Sequence, residues 1–135
     1  MDINEIVEKI KFNQDKLVSV IAQDYKTNEV LMLAYMNVEA FTKTIQTGVA
    51  TYWSRSRQKL WVKGESSGNT QKFKSFSLDC DGDAILMKVL QKGDNGRSDH
   101  GAACHEGYRS CFFRELNNGH WQVEAERMFD PKEVY

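Results

Sequence analysis

Short β-prone runs broken by turn signals constrain this chain more than any other feature of its sequence. Residues 17–23 and 30–35 are two such runs, and Asp24-Tyr25-Lys26-Thr27-Asn28 between them predicts a hairpin loop. Residues 49–54 and 60–62 predict strands around a basic turn, and residues 84–90 a buried strand. Residues 111–116 and 120–124 flank Asn117-Asn118-Gly119, a strong hairpin signal. Two segments depart from this pattern. Ile3, Ile6, Val7 and Ile10 fall at helical spacing, which predicts an amphipathic helix over 2–13. Asn37 is placed to cap a second helix through Gln46, with Gly48 as its stop. Phe73, Phe76 and Leu78 stand in a polar stretch, residues 92–103 read as a long polar loop, and Asp130-Pro131 predicts an extended turn. The expected fold class is therefore β-rich α+β, with twisted, mostly antiparallel sheets and two short helices.

At 135 residues the chain predicts one domain, residues 1–135, large enough to bury a core without staples. Eighteen Lys and Arg against nineteen Asp and Glu leave a net charge of -1, so no global positive field exists to hold a polyanion. No apolar run reaches the roughly 18 residues of a membrane span, and the acidic start lacks the basic, apolar pattern of a signal peptide. The expected location is cytoplasmic. Three cysteines in a reducing compartment favour thiol or metal chemistry over bridging.

Three constellations carry chemistry. Cys80, Cys104 and Cys111 are too few for a closed four-thiolate site in one chain. They suit a soft-metal site with an open fourth position, which the nearby His105 could fill or guard. Inert cysteines in a β core are the other reading. Asp79, Asp81 and Asp83 bracket Cys80. On an extended strand Asp79 and Asp81 would share one face and Cys80 would take the other, giving a hard-cation patch backed by a soft ligand. A solvated Asp-Gly hairpin turn is the alternative. Finally, Tyr52-Trp53-Ser54-Arg55-Ser56-Arg57 and Leu60-Trp61-Val62-Lys63-Gly64 interleave cations with indoles. If extended, Arg55 and Arg57 reach one face and suit a phosphate, and the hydroxyls and amides of residues 65–70 add anion donors. A solvated strand anchored by tryptophans explains the same residues.

These motifs, together with Ser67-Gly68-Asn69, Asp79-Cys80-Asp81-Gly82-Asp83, Gly101-Ala102-Ala103-Cys104-His105-Glu106-Gly107 and Ser110-Cys111-Phe112, occur in an order that resembles the phosphoribosyl-AMP cyclohydrolases of histidine biosynthesis, in their single-function form. The resemblance runs from about Leu17 to Phe113. It implies hydrolytic opening of the adenine ring of N1-(5-phosphoribosyl)-AMP between N1 and C6. It implies an intertwined homodimer, with one Zn²⁺ per subunit held by Cys80 of one chain and Cys104 and Cys111 of the other, and Mg²⁺ held by Asp79, Asp81 and Asp83. Within that frame His105 is the expected catalytic base. Trp53, Arg55, Arg57, Lys63, Ser67 and Asn69 are the expected substrate contacts. The expected partners are a small nucleotide substrate and a second copy of the chain, with no nucleic acid or membrane. The 94–100 segment looks inserted relative to the family, as a flap or as a means of bringing His100 to the metal. Glu106 and Tyr108 replace residues more frequent in the family. A zinc-dependent purine deaminase would carry His-x-Glu and Pro-Cys-x-x-Cys, which are absent. A zinc-stabilised nucleic-acid module would need the positive field that the charge balance denies.

Overall fold

The computed structural model describes residues 2–135. Its centre is a four-stranded sheet in the order β2-β1-β6-β5. Strands β1 (Val18–Asp24) and β2 (Val30–Met36) form the expected antiparallel hairpin. Strand β6 (Ala84–Gln91) lies parallel to β1 and antiparallel to β5 (Gln71–Leu78). The sheets are thus mostly antiparallel, with one parallel seam. Period-two burial sets the core: Val18, Val20 and Ala22 of β1 point inward with Ile85, Met87 and Val89 of β6.

Helix α2 (Val38–Thr47) covers this face. Asn37 caps it by accepting the Ala40 N–H at 2.8 Å, and Gly48 closes it with φ +76°, as the sequence predicts. Its Phe41 ring stacks on Phe76 of β5 at 4.5 Å. Chain reversal through Gly48 leads to β3 (Thr51–Ser54), which pairs with β4 (Lys59–Val62). A second separate hairpin, β7 (Arg114–Asn117) with β8 (His120–Val123), follows the long loop and turns at Asn118-Gly119 as expected.

Four local expectations change. Helix α1 is shorter than predicted, Ile3–Glu8, because the Lys11 N–H leaves the helical ladder for the Gly82 carbonyl at 2.7 Å. Among the described residues there are three α-helices rather than two: Pro131 opens α3 (Pro131–Val134), with Asp130 accepting the Lys132 N–H at 2.9 Å. A proline's missing N–H costs nothing at a first helical position, so the Asp-Pro pair starts a helix here instead of an extended turn. The polar stretch around Phe73 is the edge strand β5, and the 92–103 loop contains a 3₁₀ turn at Asp94–Gly96. Strand β7 begins three residues late because the Cys111 N–H and Ser110 hydroxyl bond the Leu31 and Val30 carbonyls of β2 instead, both at 2.7 Å. No described helix is long and apolar enough to cross a membrane.

Candidate active site

The loop from residue 101 to 113 brings two of the three cysteines together. The Cys104 N–H bonds the Tyr108 carbonyl at 3.1 Å, and the Ala103 N–H bonds the Arg109 carbonyl at 2.9 Å, so the 103–109 segment doubles back on itself. Gly107 allows this with φ +95°, and a Cβ there would stand 2.3 Å from the Phe129 carbonyl oxygen. The tail latches the turn from outside, with the Met128 N–H on the Gly107 carbonyl and Arg127 Nε on the Glu106 carbonyl. Inside, Tyr108 stacks on Phe113 at 3.8 Å.

Arg109 fixes the loop to the sheet. Its guanidinium donates to Asp24 at 2.8 Å, to Glu29 at 3.2 Å and to the Gly101 carbonyl at 2.8 Å. Asp24 is almost wholly buried. Burial alone would raise its carboxyl pKa. The Thr27 and Lys26 amides and Arg109 outweigh that and hold it below the usual carboxylate value. Sequence reasoning did not find this anchor, because nothing local signals a pair 85 residues apart.

The result is a cavity of about 570 Å³ whose wall includes Arg57, Trp61, Lys63, Ser67, His105 and Cys111. Cys104 is buried and accepts the Glu106 N–H at 3.4 Å on its sulfur. The Cys111 thiol is pushed up to about 11, first by desolvation and then by the charge of Cys104 beside it; Lys63 pulls the other way. Both cysteines are free thiols. Two adjacent thiols, one with an amide N–H already aimed at its sulfur, fit a soft metal such as zinc. Among the described residues no third His, Cys, Asp or Glu ligand stands with them.

Cys80 lies elsewhere, exposed in the β5–β6 turn. That turn corrects the strand-alternation argument for the aspartates. Residues 79–83 are not extended: the Asp79 carboxylate accepts the Asp83 N–H at 3.0 Å and the Ala84 N–H at 3.3 Å, closing an Asp-Gly turn with Gly82 at φ +77°. The turn still gathers ligands, since one oxygen each of Asp79, Asp81 and Asp83 lie within 4.8 Å of one another. Against partial desolvation, the Asp83 and Ala84 amides hold the Asp79 carboxyl below its usual value. The hydrogen bond to Asp79, then its charge, push Asp83 up. Hard oxygens in this number suit Mg²⁺.

The basic residues separate. Arg55 and Arg57 sit in the β3–β4 turn rather than on a strand, so they do not share a face as expected. Arg57 reaches the cavity, whereas Arg55 lies over the Tyr35 ring at 4.1 Å. Trp53 lines a different cleft, with Asp15 and Asn37. Lys63 is buried and donates to the Ala103 carbonyl. Ser67 is buried between the cavity of Cys111 and a second one of about 530 Å³, which Asn69, Asn95, Ser98 and His100 line; Asn69, also buried, does not line the first. The 94–100 segment therefore walls this neighbouring cavity, and His100 does not line the cavity of Cys111. Gly68 packs against it so closely that a Cβ would meet the Asn95 side chain at 2.4 Å.

Comparison with known proteins now adds to this geometry. The phosphoribosyl-AMP cyclohydrolase family profile matches residues 32–113, which spans β2 through the cysteine loop. The chain belongs to the phosphoribosyl-AMP cyclohydrolase family. It is 55% identical over 130 residues to the phosphoribosyl-AMP cyclohydrolase of Methanothrix thermoacetophila, covering 96% of this chain and 98% of the relative. The Methanococcoides burtonii enzyme of the same name is 52% identical, over 96% and 98% of the two chains. That of Nitratidesulfovibrio vulgaris is 56% identical over 119 residues, 88% of this chain and 89% of the relative.

Proposed function

We propose that this enzyme hydrolyses N1-(5-phosphoribosyl)-AMP within histidine biosynthesis, opening the adenine ring at the N1–C6 bond. The observation that carries the reading is the Cys104 and Cys111 pair set beside His105, Lys63 and Arg57 around one cavity, in a chain of this family.

Cys104 and Cys111 would hold zinc together with Cys80 of a second copy. When bound, zinc supplies a water of lowered pKa, poised to attack. His105, exposed at the cavity wall, would accept a proton from the water that adds to C6. Substitution at N1 leaves the ring electron-poor, which favours this addition. The C6–N1 bond then breaks, N1 receives a proton, and C6 becomes a carboxamide carbon. Arg57 holds a phosphate, Ser67 supplies a polar contact where the two cavities meet, and Asn69 supplies one in the second cavity. Asp79, Asp81 and Asp83 would hold Mg²⁺. Trp53 and Arg55 stand outside this cavity and act on substrate only if the second copy brings them to it.

A homodimer supports the ligand count, since Cys80 stands apart from the pair within one chain. It also gives a use to the β7–β8 hairpin, which leaves Leu116 64% and Trp121 70% exposed. An isolated two-stranded hairpin is marginal in water, so a covering partner stabilises it.

The test is direct. Zinc-loaded protein is mixed with N1-(5-phosphoribosyl)-AMP, and ultraviolet absorbance is followed with and without a chelator. Chelator-sensitive ring opening without ammonia is the expected result. Ammonia release would mark a deaminase instead, and absence of turnover by protein shown to contain zinc would sink the assignment.

A further inference from the structure

Lys63 follows β4 directly and is the only lysine or arginine among the described residues that is classed as buried, at 5% exposure. Such a cation is costly to bury unless an anion faces it. No carboxylate lies within ion-pair distance of its ammonium; the described salt bridges all involve Lys92, Arg97, Arg109 and Arg114. Its one protein acceptor is the Ala103 carbonyl, immediately before Cys104. The Trp61 ring lies 5.4 Å away and supplies a softer contact. Among the described residues the ammonium therefore has no carboxylate partner.

The cysteines supply a partner instead. Lys63 and Cys111 line the same cavity, and the carbonyl that Lys63 holds belongs to Ala103, the residue before Cys104. Arg57 lines the same cavity but is exposed, and so is the more accessible cation for a phosphate. Charge arithmetic agrees. Three thiolates around a divalent ion would leave one net negative charge, which a cation beside it stabilises.

We propose that Lys63 is the counter-charge and positioning residue of the cysteine pair, held by the Ala103 carbonyl, rather than a ligand for the substrate's phosphate. The inference rests on the reading of Cys104 and Cys111 as metal ligands. It makes Lys63 a determinant of metal affinity and leaves phosphate recognition to other residues.

Two neutral variants of the full chain separate the possibilities. Lys63→Gln can still donate to the Ala103 carbonyl but lacks the charge, whereas Lys63→Met lacks both. Zinc affinity is measured by chelator competition, and cobalt substitution reports the thiolate-to-metal absorption band. Kinetics give KM apart from kcat. Both variants should lose about tenfold or more in zinc affinity, as removal of a group supporting metal ligands does. KM should stay within about threefold of the parent, and Lys63→Arg should recover most of the affinity. Should Lys63→Met fail to fold, as a thermal melt would show, Lys63→Gln alone decides. Unchanged zinc affinity with a raised KM would overturn the inference and return Lys63 to the phosphate. Loss in Lys63→Met but not in Lys63→Gln would assign the effect to the Ala103 bond and overturn the counter-charge role. A parent protein with no thiolate–cobalt band would overturn both this inference and the metal reading beneath it.

Discussion

The 79–83 turn and the 101–113 loop both gather metal donors, and they do so by opposite means. The turn is held by a few local hydrogen bonds to one carboxylate, and its three aspartates are exposed. The cysteine loop is held by contacts distant in sequence: Arg109 on Asp24, Ser110 on Val30, and the 127–129 tail on Gly107. Exposure lets the aspartates share their repulsion with water, so an ion there exchanges readily. Cys104 is buried and lacks that relief, so the protein must supply charge and geometry there in advance. On the proposed reading, the exposed turn would hold a hard ion loosely and the cysteine loop a soft one firmly.

The sharpest way to break this contrast is at Cys104. Cys104→Ser replaces a buried soft donor by a hydroxyl that ionises far less readily. Bound zinc should fall to background and turnover by about a thousandfold or more, measured by metal analysis and the absorbance assay. A zinc-free variant with full activity would remove the metal from the scheme.

Next comes the anchor. Arg109→Met leaves Asp24 buried without its cation, which costs about 3–5 kcal/mol of stability. Thermal or urea melts read this. The parent also predicts the sign with pH. Because the Asp24 carboxyl is held below its ordinary value, its contribution is complete above the unfolded carboxyl range. It is lost as pH falls through the lower folded value. Arg109→Met should therefore lose most stability near neutrality and converge on the parent in acid. A constant difference at all pH values would deny the ion pair its role.

Much of this was legible beforehand, and the exceptions share a cause. The β1–β2 hairpin, the caps of α2 at Asn37 and Gly48 and the Asn118-Gly119 turn are local, so neighbouring residues announce them. The cysteine and aspartate motifs were visible as strings. Their geometry was not: parity on a strand fails for Asp79, Asp81 and Asp83 because Asp79 accepts the backbone amides that close a turn. Arg55 and Arg57 diverge for the same reason, since a turn has no period of two. The Arg109–Asp24 pair and the burial of Lys63 depend on how distant segments pack, which periodicity cannot report.

The thiols also set a pH dependence that the aspartates lack near neutrality. Cys111, pushed up to about 11, is protonated in the metal-free protein at pH 7, and that form stabilises the apo fold below the ordinary thiol value of 9.0. The benefit disappears as pH rises through about 11. If zinc binds here it would expel this proton, so its apparent affinity should climb by up to about tenfold per pH unit between pH 6 and 8. Chelator competition across that range checks it. A flat profile would mean that the thiols are already ionised.

The smallest effect belongs to the exposed turn. Asp81→Asn removes one of the three converging carboxylates but none of the hydrogen bonds that close the turn, which belong to Asp79. Thermal stability should stay unchanged, and zinc content should stay at the parent level. Mg²⁺ half-saturation should shift upward by several-fold, since one hard anionic ligand of three is gone. Titrating Mg²⁺ into metal-stripped protein and into the Asp81→Asn variant separates the two regions. A fall in zinc content would mean that the turn and the cysteine pair form one coupled centre. That would be expected if the Cys80 of this turn sits on the partner's thiols more rigidly than its exposure in one chain implies.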